Sequence, residues 1–223
     1  TTQEDELMNI LSASFRHSQK LNRHMKFLYS HGSIYKVCNG NILYHGCIPM
    51  TESGEFEYMN IGGKNYSGKA LLDRINEIAR EAYYGTYGSK SKEQACDFMW
   101  YLWCGAKSPI YGKDKMAFFE RYFTDDSALH KEIYNPYYKL SDNPQVCMKI
   151  LREFGVSAES GHIINGHVPV KIKDGESPIK ADGKLYVIDG GISKAYRTKT
   201  GIAGYTLIYD SHSLQLAEHT AEN

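Results

Sequence analysis

The sequence predicts an α/β layered fold, and three observations carry that prediction. The chain reads helix, strands, helices, strands, the order expected of a sheet flanked by helices. An Asn39-Gly40 pair stands between two short apolar runs, the strongest short-range hairpin signal. Two further apolar runs, 163–165 and 185–189, lie beyond residue 155, and each leads into glycine.

Each element follows from its residues in turn. Residues 3–29 read as helical: Leu7, Ile10, Leu11 and Phe15, then Leu21, His24, Met25 and Leu28, fall at three- and four-residue spacings, and Gly32 ends the region. Residues 34–38 and 41–44 flank the Asn-Gly turn, which puts His45 at the end of the hairpin's second strand. Gly62 to Lys69 lacks the spacing of a phosphate loop and reads as a turn into a helix capped by Ser67, with Leu71, Ile75, Ile78, Ala79 and Ala82 inward. Ser91-Lys92-Glu93-Gln94 reads as a capping box ahead of an aromatic helix holding Phe98, Trp100, Tyr101 and Trp103, with Gly105 at its exit. Residues 113–123 read as another short amphipathic segment. Asn143-Pro144 opens a helix with Cys147, Ile150, Leu151 and Phe154 inward, and Gly155 closes it. A final hairpin, 205–209 with 214–216, turns at Asp210-Ser211. The whole is read as one domain with a mainly helical insertion at about 65–155.

Composition narrows the function. The 223 residues suffice to bury a sizeable core. Twenty-six basic residues balance twenty-six acidic ones, which argues against a dedicated nucleic-acid or membrane-surface binder. No stretch approaches the roughly 18 to 20 apolar residues of a membrane span. The acidic start has no apolar signal core and no initiator methionine, so the chain is read as a processed or truncated piece. Five cysteines without a Cys-x-x-Cys pair support neither a disulfide framework nor a cysteine zinc site, and point to reduced thiols in the cytoplasm.

Two histidines carry the chemistry. In Tyr44-His45-Gly46-Cys47-Ile48-Pro49 and Ile164-Asn165-Gly166-His167-Val168-Pro169, a short apolar run ends in a histidine beside a glycine, with proline soon after. A strand delivers the imidazole, glycine opens space around it, and proline turns the chain away. Neutral imidazole is a common ligand for Zn, Mn and Fe. A lone strand-end histidine is more often a hydrogen-bonded structural residue, and two imidazoles are not a complete site. His31 and His162 lie near these segments; the other five histidines have no pattern around them. Residues 190–201 carry Lys194, Arg197 and Lys199 in a glycine-flanked loop free of acidic residues, and Lys171 opens a stretch holding four lysines. Such loops are commonly solvated surface, but they are also suited to phosphate.

At this point the residues resemble a family. Residues 44–50 resemble the His-Gly-Gly segment of calcineurin-like metallophosphoesterases, and residues 165–171 resemble their later Gly-His motif. The closer similarity is to class III fructose-1,6-bisphosphatase, in residues 29–33, 43–50, 103–109, 111–116, 118–123, 165–173 and 187–205. The resemblance implies part of a four-layer α/β/β/α sandwich with two divalent ions, usually manganese. It makes His45 and His167 ligands of one ion; with a phosphate substrate, the basic segments above offer Lys171, Lys194 and Arg197 as contacts to the sugar phosphate. It implies a cytoplasmic gluconeogenic enzyme that hydrolyses fructose 1,6-bisphosphate to fructose 6-phosphate. The family's earlier Asp-x-His, Gly-Asp-x-x-Asp-Arg-Gly and Gly-Asn-His-Glu motifs are read as absent from this chain. The chain therefore resembles the C-terminal portion of the enzyme, inactive alone, and missing strands would favour self-association through exposed sheet edges. A phosphoprotein phosphatase of the same fold, or a non-catalytic sugar-phosphate-binding or interaction module, are the alternative readings.

Overall fold

The computed structural model describes residues 1–189, 204–210 and 212–219, in two compact units, Thr1–Ser33 and Ile34–Asn223. The first unit holds α1 (Thr2–Arg16) and α2 (Gln19–His31). The single helical region expected from spacing is interrupted at His17-Ser18, because the Ser18 side chain accepts from the Leu21 amide and so starts a second helix. Thr1 and Glu4 form a capping box on α1. Gly32 ends α2, donating its amide to the Leu28 carbonyl. Neither helix has a buried residue: Leu7, Ile10 and Phe15, on the face that periodicity points inward, are exposed.

In the second unit, β1 (Tyr35–Cys38) and β2 (Asn41–Tyr44) pair antiparallel as expected. Asn39 and Gly40 both have positive φ, 50° and 72°, the demand of a type I′ turn. Gly62-Gly63 turns a hairpin rather than leading straight into a helix, joining β3 (Met59–Ile61) to β4 (Lys64–Tyr66). The helices that follow are α3 (Gly68–Tyr84), α4 (Lys90–Cys104), α5 (Glu120–Phe123), α6 (Tyr137–Leu140) and α7 (Pro144–Glu153). Leu71, Leu72, Ile75 and Ile78 of α3 are buried.

Three local expectations are corrected. The Ser67 side chain makes no cap bond; the Glu153 carboxylate accepts from the Lys69 amide instead. Ser89, not Ser91, caps α4, accepting from the Lys92 amide, while Ser91 donates to Glu81. Of residues 113–123 only Glu120–Phe123 is helical. Lys113 is drawn into a bridge with Tyr134 and an ion pair with Glu132, which holds the start of that segment extended.

The remaining strands are β5 (Ile163–Asn165), β6 (Ile179–Lys180) and β7 (Leu185–Val187), then β8 (Gly204–Tyr209) and β9 (Leu214–His219), which form the expected last hairpin. The main sheet runs β1-β2-β5-β7-β6, with β2, β5 and β7 parallel. Ile42, Ile163 and Leu185, which stand in register across these strands, are at most 1% exposed. These three residues line one face of the parallel centre; on the other face Ile164 is buried, Tyr186 is half-buried and Leu43 is exposed. Cys147, Ile150, Leu151 and Phe154 of and after α7 join Ile42, Ile163 and Leu185 in one core. The architecture is mixed α/β, and the three parallel strands end along one edge. Among the described residues no helix is long and apolar enough to cross a membrane.

Candidate metal centre

The edge at the carboxyl ends of β2, β5 and β7 is where an α/β sheet usually holds its ligand. Successive side chains of a strand point to opposite faces. Tyr44 turns into the core, where its hydroxyl meets that of Tyr137 at 2.7 Å, and His45 stands exposed. Gly166 donates its amide to the His45 carbonyl at 3.0 Å, and the Asn165 amide donates to the Gly46 carbonyl at 3.2 Å and to Tyr137 at 2.8 Å. The two strand ends are therefore tied by backbone and buried side chain alike.

Gly46 is required by space. A Cβ there would lie 2.0 Å from the Pro109 carbonyl oxygen, which accepts from the Cys47 amide at 2.8 Å. That contact seats the loop after α4 against the strand end. Ser108, fully buried, shapes the loop: its hydroxyl donates to the Leu102 carbonyl and accepts from the amides of Ile110 and Tyr111. The loop thereby aims the Tyr111 carbonyl at His167, 2.9 Å from Nε2.

A carbonyl only accepts, so His167 Nε2 carries the proton and Nδ1 carries the lone pair. Nδ1 lies 3.2 Å from His45 Nε2, with the rings nearly perpendicular at 81°. In this arrangement His45 Nε2–H donates to His167 Nδ1. Burial holds the His167 pKa below the ordinary imidazole value, with the charges of His45 and Lys113 adding to it and the Tyr111 carbonyl and Asp189 pulling the other way. The net lowering favours the neutral ring, the form that ligates a metal. Its φ is +70°, a left-handed conformation that costs a residue with a Cβ about 1–2 kcal/mol. Strain of that kind persists where surrounding structure imposes it, and it gathers at functional sites.

The donor chemistry fits an ion. Two nitrogens each about 2.1 Å from one ion, at tetrahedral or octahedral angles, are roughly 3.0–3.4 Å apart, and the observed separation is 3.2 Å. The hydrogen bond from His167 to a backbone carbonyl is the outer contact that ligating histidines commonly make. The set is incomplete: among the described residues no three His, Cys, Asp or Glu side chains converge as a metal-holding group.

The other predicted residues are placed as follows. Lys171 is exposed in the turn four residues beyond His167, its amide held by Glu176 at 3.0 Å; none of the described hydrogen bonds joins it to either imidazole. Lys194 and Arg197 lie outside the described residues. His162 bonds to Asn41 and His31 to Ser30, each in a local structural role. Asp210-Ser211-His212 has Asp-x-His spacing, but the Asp210 carboxylate accepts from the amides of His212 and Ser213 and serves the turn. One residue at the edge was missed. Asp189 lies two residues beyond β7, the third parallel strand, beside Gly166 and within electrostatic range of His167. The signal that could have found it is topological: three adjacent parallel strands, each ending in a group with chemistry.

A family model described as Firmicute fructose-1,6-bisphosphatase matches residues 1–223. The class 3 fructose-1,6-bisphosphatase of Clostridium acetobutylicum is 55% identical over 217 residues, which is 97% of this chain and 33% of that relative. Those of Clostridium tetani and Bacteroides fragilis are 54% and 53% identical, each over 219 residues, 98% of this chain and 33% of theirs. The chain spans about a third of the length of the curated relatives it matches. No solved structure matches it.

Proposed function

The chain belongs to the Firmicute fructose-1,6-bisphosphatase family, and from that membership we propose that it is the C-terminal portion of an enzyme hydrolysing fructose 1,6-bisphosphate to fructose 6-phosphate and phosphate. In this reading the enzyme is a cytoplasmic member of the gluconeogenic route. The five-stranded sheet is one sheet of a four-layer metallophosphoesterase sandwich, with residues 65–155 as a helical insertion. The rest of the protein supplies the bridging carboxylate and the other ligands.

The observation that carries the reading is the imidazole pair, 3.2 Å apart on adjacent parallel strand ends. His45 Nε2 and His167 Nδ1 hold one divalent ion, Mn²⁺ in our proposal. When bound, such an ion polarises phosphoryl oxygens and lowers the pKa of a bound water. The chain's own groups do the positioning: the Tyr111 carbonyl fixes the His167 tautomer, and Gly46 and Ser108 fix Tyr111. Lys171, Lys194 and Arg197 are the cations offered to the sugar phosphates. The partner expected for this chain on its own is a second copy, paired through exposed sheet edges.

The test is phosphate release from fructose 1,6-bisphosphate by the intact protein with Mn²⁺, beside a phosphopeptide substrate. His45→Ala and His167→Ala are expected to lower turnover at least about 100-fold, and this chain alone to be inactive. Full activity in both variants, or preference for the phosphopeptide, would defeat the proposal.

A further inference from the structure

The pair as it stands is arranged for a hydrogen bond, and that raises a chemical requirement. His167 presents a lone pair at Nδ1, but His45 presents a proton at Nε2. For His45 to give Nε2 to an ion, that proton must leave and the ring must carry its hydrogen at Nδ1 instead. His45 is exposed, so water can take the proton from one nitrogen and return one to the other. The exchange is neutral overall. What decides whether it is favourable is the group facing Nδ1.

That side of the ring opens on Gly166. A Cβ built there would lie 3.6 Å from His45 Nδ1, 3.9 Å from Asp189 Oδ2 and 3.5 Å from Asp189 Cβ. Gly166 needs no positive φ, so its backbone does not demand glycine. The missing side chain instead keeps open a gap flanked by an imidazole nitrogen and a carboxylate. The backbone holds both sides in place. The Asp189 carbonyl accepts from Val170 at 2.9 Å, the Ile188 amide donates to the Asn165 carbonyl at 2.9 Å, and Gly166 donates to His45.

We propose that Asp189 is a positioning residue for His45. Its carboxylate accepts the Nδ1 hydrogen through one water seated in the Gly166 gap, and so selects the tautomer whose Nε2 binds the ion. An ionised carboxylate is an acceptor only, and it is one of the usual outer partners of a metal-ligating imidazole N–H. The two histidines are then oriented from opposite sides, His167 by the Tyr111 carbonyl and His45 by Asp189. This rests on the reading of His45 as a metal ligand.

The experiment is a Mn²⁺ titration of the intact protein, free ion being read by electron paramagnetic resonance. The variants are His45→Ala, Asp189→Asn and the double. Asp189→Asn is expected to weaken the site that His45→Ala weakens, by about 10- to 100-fold. In the His45→Ala background it is expected to add nothing. Unchanged affinity in Asp189→Asn, or an equal further loss in the double variant, would overturn the proposal. If His45→Ala itself leaves Mn²⁺ affinity unchanged, the ligand reading has failed and this inference falls with it. Should Asp189→Asn not fold, Gly166→Ala replaces it: the added methyl sits at ordinary contact distance but fills the gap. Wild-type affinity there would overturn the proposal as well.

Discussion

Two regions of this chain carry equally regular apolar patterns and have opposite fates. In the parallel strands β2, β5 and β7, Ile42, Ile163 and Leu185 are at most 1% exposed, locked between register partners and the side chains of α7. In α1 and α2 the apolar positions recur just as faithfully, yet no residue is buried, and Phe15 is 69% exposed. Period and capping are enough to make a helix. Burial needs a partner surface, and only the strands have one within their own unit. The candidate site follows the same division. His45, His167 and Asp189 are held on the side where many buried contacts dictate position.

The largest test of that contrast is Ile163→Ala. Deleting a fully buried isoleucine at the sheet centre leaves a cavity between β2 and β7, and we expect a loss of about 4 kcal/mol in urea unfolding. A loss under about 1 kcal/mol would mean the core is not organised around β5. Gly46→Ala comes next. Its new Cβ would sit 2.0 Å from a backbone oxygen, so the Pro109 loop must move, at about 2–3 kcal/mol. Because the same loop aims Tyr111 at His167, Gly46→Ala should also weaken Mn²⁺ binding in the intact protein. Destabilisation without any change in metal affinity would separate the loop from the site.

What could be read in advance follows the same line between local and tertiary causes. The Asn39-Gly40 hairpin and the helix from Asn143-Pro144 to Gly155 were legible because their determinants lie within a few residues. So were the strand-end positions of His45 and His167. Ser91 has the spacing of a cap but is taken by Glu81, from another helix, which leaves the cap to Ser89. Residues 113–119 have helical spacing, but Lys113 and the Ala117 amide are held by Glu132. β3 is three residues long, too short to show alternation. Asp189 carries no local motif; it becomes a site residue only when β7 is laid beside β5.

A smaller effect should appear with pH. Burial first, and the Lys184 charge second, hold the pKa of His162 below the ordinary imidazole value of 6.5. Burial does the same to His167. Above 6.5 both folded and unfolded chains carry these rings neutral, and stability is unaffected. As pH falls below 6.5 the unfolded chain takes up protons that the folded chain resists, so stability drops until the folded values are passed. We expect the urea midpoint to fall between pH 7.5 and pH 5.5, and His162→Asn to shrink that fall. An unchanged slope in His162→Asn would remove His162 as a contributor.

The smallest expected effect is the most pointed test of the contrast. Phe15→Ser replaces a large apolar side chain on α1 that is 69% exposed. Helix propensity barely distinguishes the two residues, and a surface substitution away from caps and cores usually lies within about 0.5 kcal/mol. The same chemical change at a buried phenylalanine would cost about 3–5 kcal/mol. Unfolding of this chain should therefore be indifferent to Phe15→Ser, while its tendency to aggregate should fall as apolar surface is removed. A stability loss above about 2 kcal/mol would show that the face of α1 is covered in solution. The two regions would then differ in what covers them rather than in whether they are covered.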